Sequence, residues 1–304
     1  MKMMSRFLCI ASRMLGAALA LPNAVHAAPI TFNTALPVAE GHFVFREQFL
    51  DQRATDDPSA ANRDVEVLGG ISVLGYGVTS DLALFGILPY LDKGLELATP
   101  GGQRATRSTH GIADAQLFAR YTVFRRDLPG QNFRIAPFLG TEFPIGDDDD
   151  TDRLGQLPAP LQLGSGSWDP FGGMIATYQT LDYQVDAQIA YQLNTEANNF
   201  EFGDVFRLDG SLQYRLWPRE LGEGVPAFLY AVIEANLIHQ ERNEIGGLDD
   251  PNSGGTTLFL SPGLQYVTKS WILEGIIQLP VVQDLNGTAL EDDFIVRAGF
   301  RLNL

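Results

Sequence analysis

The chain has 304 residues, with 21 Lys plus Arg against 37 Asp plus Glu and a formal net charge of −16, a balance that argues against nucleic acid as a partner. Its single cysteine, Cys9, lies in the N-terminal leader, which excludes disulfides, thiolate nucleophiles and cysteine-ligated metals from the mature chain. There is no run of about 18 or more apolar residues, so no helical membrane span is expected.

The leader comes first. Lys2, Arg6 and Arg13 precede the apolar run "MLGAALAL", Met14 to Leu21, and "PNAVHA" supplies small residues for cleavage after Ala27. This is the layout of a secretory signal peptide over residues 1–27. Residues 28–304 then form one domain, since no Ser-rich, Pro-rich or charged linker divides them. Losing three basic residues leaves 18 Lys plus Arg against 37 Asp plus Glu, a mature charge of −19.

Twelve segments with strand character follow, centred on 41–52, 64–78, 81–91, 111–124, 133–145, 169–180, 183–194, 204–217, 227–240, 256–267, 271–282 and 294–304. Most run ten residues or more, close to the nine to eleven or so that a membrane strand requires. Short links such as "TSD", "LD" and "TKS" alternate with long polar ones such as "GDDDDTDRLGQLPAPLQLGSGSW". The pattern predicts an up-and-down meander with tight turns at one end and loops at the other, the asymmetry of an outer-membrane barrel.

The seventh segment, "YQVDAQIAYQLN", places Tyr183, Val185, Ala187, Ile189, Tyr191 and Leu193 on one parity. Gln184, Asp186, Gln188, Gln192 and Asn194 take the other. In a soluble sheet the apolar parity points into a core; in a membrane barrel it points into lipid. Tyr183 and Tyr191, like Phe206 and Tyr214, are eight residues apart, which a tilted strand turns into roughly 20 Å, near the spacing of two interfacial girdles. A secreted sandwich or lipocalin-like barrel is the competing reading, but the mature chain holds just Lys93 and Lys269 as lysines. Its polar parity is richer in Arg, Gln, Asp, Glu and Gly, which suit a crowded lumen. The last strand's apolar parity, Phe294 to Leu304, runs to the final residue, as in barrels handed to the barrel-assembly machinery. The expected fold class is therefore all-β: an up-and-down antiparallel transmembrane β-barrel of about 12 strands, in the bacterial outer membrane after a cleaved signal peptide.

The polar parity assigns to the lumen Arg46, Arg120, Arg134, Arg207, Arg215, Arg297 and Arg301 against Glu66, Asp114, Glu142, Asp186, Asp209, Glu234 and Glu274. Seven cations and seven anions give a neutral interior, either an ion-paired lattice that stiffens the barrel or a polar pathway with some of these groups at a constriction. Only "APITFNTALPVAEG" separates the expected cleavage site from the first strand, so no dedicated plug domain is expected. Any gate is expected from the loops 92–110 and 146–168 folding inward.

The acidic run "GDDDDTDRLG", Gly146 to Gly155, lacks the spacing, central Gly and closing Glu of an EF-hand; a solvated loop and a cation site both remain open. His239 continues the outward parity at the loop end of its strand, where a lipid hydrolase would hold its base, but Ser261 on the next strand has lumen parity. No metal and no cofactor is expected.

Four stretches, "YGVTSDLALFGILPYL" from Tyr76, "GIADAQLFARYTVF" from Gly111, "FPIGD" from Phe143 and "LGSGSWDPFGGMIATY" from Leu163, resemble the outer-membrane family named for the meta-pathway of phenol degradation. Ala113 and Ile145 stand where that family commonly has Gly and Thr. The resemblance implies an outer-membrane barrel and the passage of small aromatic or other hydrophobic compounds. The expected function is a channel for passive movement of a small-molecule solute among outer-membrane lipids. An outer-membrane lipid hydrolase and a structural or adhesive barrel are the alternatives.

Overall fold

The computed structural model describes residues 27–99, 101–220 and 227–304. The predicted leader lies outside these residues apart from Ala27. Twelve barrel strands follow: β1 Phe43–Ala54, β2 Asp64–Gly77, β3 Leu82–Ala98, β4, β5 Gln131–Phe143, β6 Asp169–Thr180, β7 Tyr183–Gln192, β8 Val205–Trp217, β9 Ala227–Gln240, β10 Gly255–Thr268, β11 Trp271–Leu285 and β12 Phe294–Asn303. Strand β4 comes in three pieces, Arg104–Ile112, Ala115–Tyr121 and Phe124–Leu128. Each strand pairs antiparallel with its sequence neighbours, and β12 pairs with β1 from Val44 opposite Asn303 to Arg53 opposite Phe294. The sheet closes on itself, so no ladder edge is left for lipid to satisfy.

Side chains are sorted by parity, inverted relative to a soluble protein. On β7 the alternate residues Tyr183, Val185, Ala187, Ile189 and Tyr191 are exposed on the outside, whereas Gln184, Asp186 and Gln188 are buried within. The fully buried side chains of the wall include Gln184, Gln213, Gln265, Glu234 and Asn236, and Leu139 on the outer face is 70% exposed. Such a surface is stable only in an apolar solvent. Aromatic pairs mark both rims: Tyr183 faces Tyr214 at the short-turn end and Tyr191 faces Phe206 at the long-loop end.

Two sequence expectations change. Residues 92–110, read as a loop, are mostly the outer halves of a hairpin made by β3 and β4. Beyond the rim the pattern has soluble polarity, with Leu95 buried against Leu157 and Leu161 while Asp92 and Glu96 face water; the charged outward positions disguised it as a loop. Glu66 is not a lumen residue: it pairs with Arg53, 2.5 Å away, and both lie on the outward parity opposite to that of the lumen-facing Arg46 and Gln48. The lumen count of seven against seven therefore loses one carboxylate.

Candidate functional site: the barrel lumen

Residues 27–42 do not lead away from the barrel. They cross its interior. Ala28, beside Gln265 on β10, gives its amide to Gln265 Oε1 (3.3 Å) and its carbonyl accepts from Gln265 Nε2 (2.6 Å). Ile30 and Thr31 donate their amides to the two oxygens of Glu234 on β9 (2.6 and 3.0 Å). Further along, Thr34 reaches Asp186 (3.0 Å), and Ala35 donates its amide to Thr177 Oγ1 (2.8 Å). Arg120 on β4 then donates to Asn33 Oδ1 and to the carbonyls of Thr34 and Leu36. Finally Gly41 N bonds Gly77 O (2.8 Å) at the short-turn end, and β1 begins. The expectation that no plug exists is corrected: fourteen or so residues suffice, because the extended segment borrows its hydrogen-bond partners from the wall and needs no core of its own.

This explains the lumen carboxylates better than an ion-paired lattice does. Glu234 serves the segment's backbone and also accepts from Ser211. Asp186 accepts from Thr34, Thr177 and Gln184. Glu274 accepts from Arg46 Nε (2.6 Å), Gln48 and Gln265, with Arg301 at 3.7 Å. Arg46 and Gln48 in turn donate to the carbonyl of Ile30. Asp209 holds Arg207 (3.2 Å), Gln188 and Asn236.

The other predicted lumen residues lie at the ends. Arg134 pairs with Asp127 (3.1 Å) and Arg215 with Asp182 (2.5 Å), both close to short turns. Asp114, at the first break of β4, accepts from Gly146 N, Ser165 N and Ser165 Oγ, so it ties down the 144–168 loop at the long-loop end. Glu142 accepts from Gln116 (2.7 Å). Arg297 donates Nε to the neutral Gln278 amide (2.9 Å).

Sequence parity missed the opposite wall. Phe85, Phe118, Phe138 and Phe171, from β3, β4, β5 and β6, converge inside the barrel with Val38, Val44, Val73 and Ile87. The Phe85 and Phe118 rings stack with centroids 4.8 Å apart, and Phe118 meets Phe138 and Phe171 edge-on near 6 Å. Arg120 lies over Phe85, 4.8 Å from its centroid. The signal was available: "DLALFGIL" is apolar on both parities, so one apolar face had to point inward.

Above the N-terminal segment lies a cavity of about 800 Å³, walled by this aromatic patch on one side and by Arg46, Arg207, Arg297 and Arg301 on the other. The loop residues Gln162, Leu163 and Ser165 border it. Of the two loops expected to fold inward, 146–168 borders the cavity with Ala159 and Gln162 to Ser165, whereas the 92–110 stretch reaches it with Lys93. Among the described residues, no group of three His, Cys, Asp or Glu converges as metal ligands. Members of the acidic run are taken up elsewhere: Asp152 by Arg107 (2.8 Å), Asp148 by Asn198 (2.8 Å) and Asp150 by Thr109. His239 Nδ1 lies 2.8 Å from Thr256 Oγ1, while Ser261 points into the lumen beside Asn236.

A closed antiparallel barrel with an apolar outer belt, aromatic rims and a polar lumen has the architecture of an outer-membrane β-barrel protein. Residues 51–275 match the family model described as "Putative MetA-pathway of phenol degradation", and the chain belongs to that family. Its fold is similar to that of an outer membrane channel from Pseudomonas putida, with TM-score 0.69 at 12% identity over 92% of this chain and 100% of that one. The β domain of the Bordetella autotransporter BrkA is a more distant structural neighbour, with TM-score 0.47, 13% identity and coverage of 87% and 100%. No curated protein matches the chain.

Proposed function

We propose that the protein is a passive outer-membrane channel for small molecules that carry an apolar portion. The observation that carries this is the cavity of about 800 Å³ inside the barrel, bordered by the long loops, floored by the N-terminal segment and walled by four phenylalanines. A purely aqueous pore has no use for an aromatic wall, whereas a solute leaving water gains by contact with one. The leader over residues 1–27 directs export, the assembly machinery inserts the chain, and the long loops face outward. Solute enters between those loops, rests in the cavity and leaves when the segment formed by residues 28–40 yields. The segment can yield because polar contacts anchor much of it, and water can replace them.

Reconstitution of the full mature chain in planar bilayers tests this reading. Discrete conductance steps are expected, and they should grow more frequent or larger when residues 28–40 are deleted. A correctly folded barrel that stays silent in both forms would overturn it.

A further inference from the structure

The two walls of the cavity are chemically unlike, and the difference points to one kind of solute. On one side Val73, Ile87, Phe138 and Phe171 are only partly buried, so they present free apolar surface to the space. On the other, Arg207 and Arg297 carry more positive charge than their neighbours match. Among the described residues, no carboxylate oxygen lies within 4.0 Å of the Arg297 guanidinium, whose Nε is given to an uncharged amide at 2.9 Å. Arg207 reaches Asp209 with Nη2 at 3.2 Å, but its Nε is buried without any hydrogen-bond partner. Elsewhere in the lumen the carboxylates are engaged: Glu234 and Asp186 hold the N-terminal segment, and Glu274 serves Arg46, Gln48 and Gln265.

An unmatched guanidinium and an orphaned N–H in a confined space are costly unless something completes them. A carboxylate does so best, because its two oxygens match the guanidinium fork. A neutral solute would leave both cations as they are. A cation would meet Arg207 and Arg297 head-on, and a dianion would have to pass Asp114, Glu142 and Asp169, which also line the cavity and outnumber Lys93 beside them. We propose that the lumen binds small monocarboxylates with an apolar body, the carboxylate on Arg297 and Arg207 and the body against the wall of Phe138 and Phe171. This rests on the channel reading and gives it a substrate class.

Benzoate and its neutral counterpart benzyl alcohol are suitable probes, because they share a ring and differ in charge. Binding of each to the full mature barrel is measured by calorimetry in detergent, and entry of each into proteoliposomes is followed separately. Benzoate is expected to bind at least tenfold more tightly than benzyl alcohol. Arg297→Gln should weaken benzoate by roughly tenfold or more and leave benzyl alcohol unchanged, while Arg297→Lys, which keeps the charge, should retain part of the preference. Heat-modifiable gel mobility reports whether each variant is a folded barrel, and Arg207→Gln provides a second site if Arg297→Gln is not. Equal binding of the two probes, or benzoate binding indifferent to both substitutions, overturns the carboxylate site while entry of either probe keeps the channel. Entry of neither probe, with benzoate binding intact, overturns the channel and leaves the site.

Discussion

Ile189 and Gln188 are adjacent on β7 and face opposite solvents. Ile189 is 48% exposed on the outer belt, and Gln188 is buried in the lumen with Nε2 2.9 Å from Asp209. Ile189→Arg puts a cation against lipid near mid-depth and should cost about 2 to 4 kcal/mol. Gln188→Arg puts the same charge beside a carboxylate, so its loss should be small. Urea unfolding in liposomes compares the two, and equal losses would count against the lipid-facing assignment. Glu47 reverses the logic. It sits on the outward parity of β1 between Phe300 and Ser72, whose hydroxyl donates to it at 2.6 Å. A carboxyl at that depth is unfavourable unless something off the barrel engages it. In lipid alone Glu47→Leu should stabilise the barrel by about 1 kcal/mol; a loss would reveal a partner on this face.

At the scale of elements, the N-terminal segment is the part that must move. Thr34 Oγ1 and Thr177 Oγ1 lie 3.1 Å apart, and residues 28–304 contain no cysteine. The double substitution Thr34→Cys and Thr177→Cys should form a disulfide on oxidation and pin the segment to β6. Conductance should then fall on oxidation and recover with reductant; undiminished conductance in the oxidised form would show that solute bypasses the segment. The loop at 55–63 is held differently. Asp57 accepts from Arg63 N, Nε and Nη2 and from Ser59, and the Arg63 guanidinium, followed by these backbone and hydroxyl donors, holds its carboxyl well below the usual range. Because the folded value is depressed, the anchoring is complete above the unfolded carboxyl range, declines below it and is lost as pH falls through the depressed folded value. Amide protection in this loop, taken relative to the intrinsic exchange rate at each pH, should hold steady from pH 7 down to about pH 4 and decline below that. Asp57→Asn should lower it throughout.

Much of this was legible in the chain because a barrel wall is a period-2 object. Tyr183 to Asn194 announced both faces, and the alternation of short and long links announced the meander. Residues 28–40 were illegible for a physical reason: an extended segment bonded to side chains has no periodicity of its own, and Glu234, Asp186 and Arg120 look alike in sequence whether they hold each other or a backbone. The outer hairpin of β3 and β4 was missed because its alternation changes sign where lipid gives way to water.

At the scale of the whole molecule, orientation is testable with one protease. Arg153 is exposed at the tip of a short ribbon in the 144–168 loop, and Arg125 and Arg126 are exposed near the short-turn end. Trypsin added to intact cells should cut after Arg153 and spare Arg125 and Arg126. Cleavage at the pair with Arg153 untouched would turn the barrel over.

The N-terminal segment also bears on the order in which the molecule forms. Ala28 finds its partner 237 residues away, and Ile30 finds its partner 204 residues away, whereas the wall is stitched from hairpins between sequence neighbours. Contacts so remote are entropically the last to close. The segment is also joined directly to β1, the strand that meets β12 to seal the cylinder. The final zipping of that seam therefore draws residues 28–40 into a chamber whose polar lining already exists, so a segment translated ahead of every barrel strand is placed after all of them.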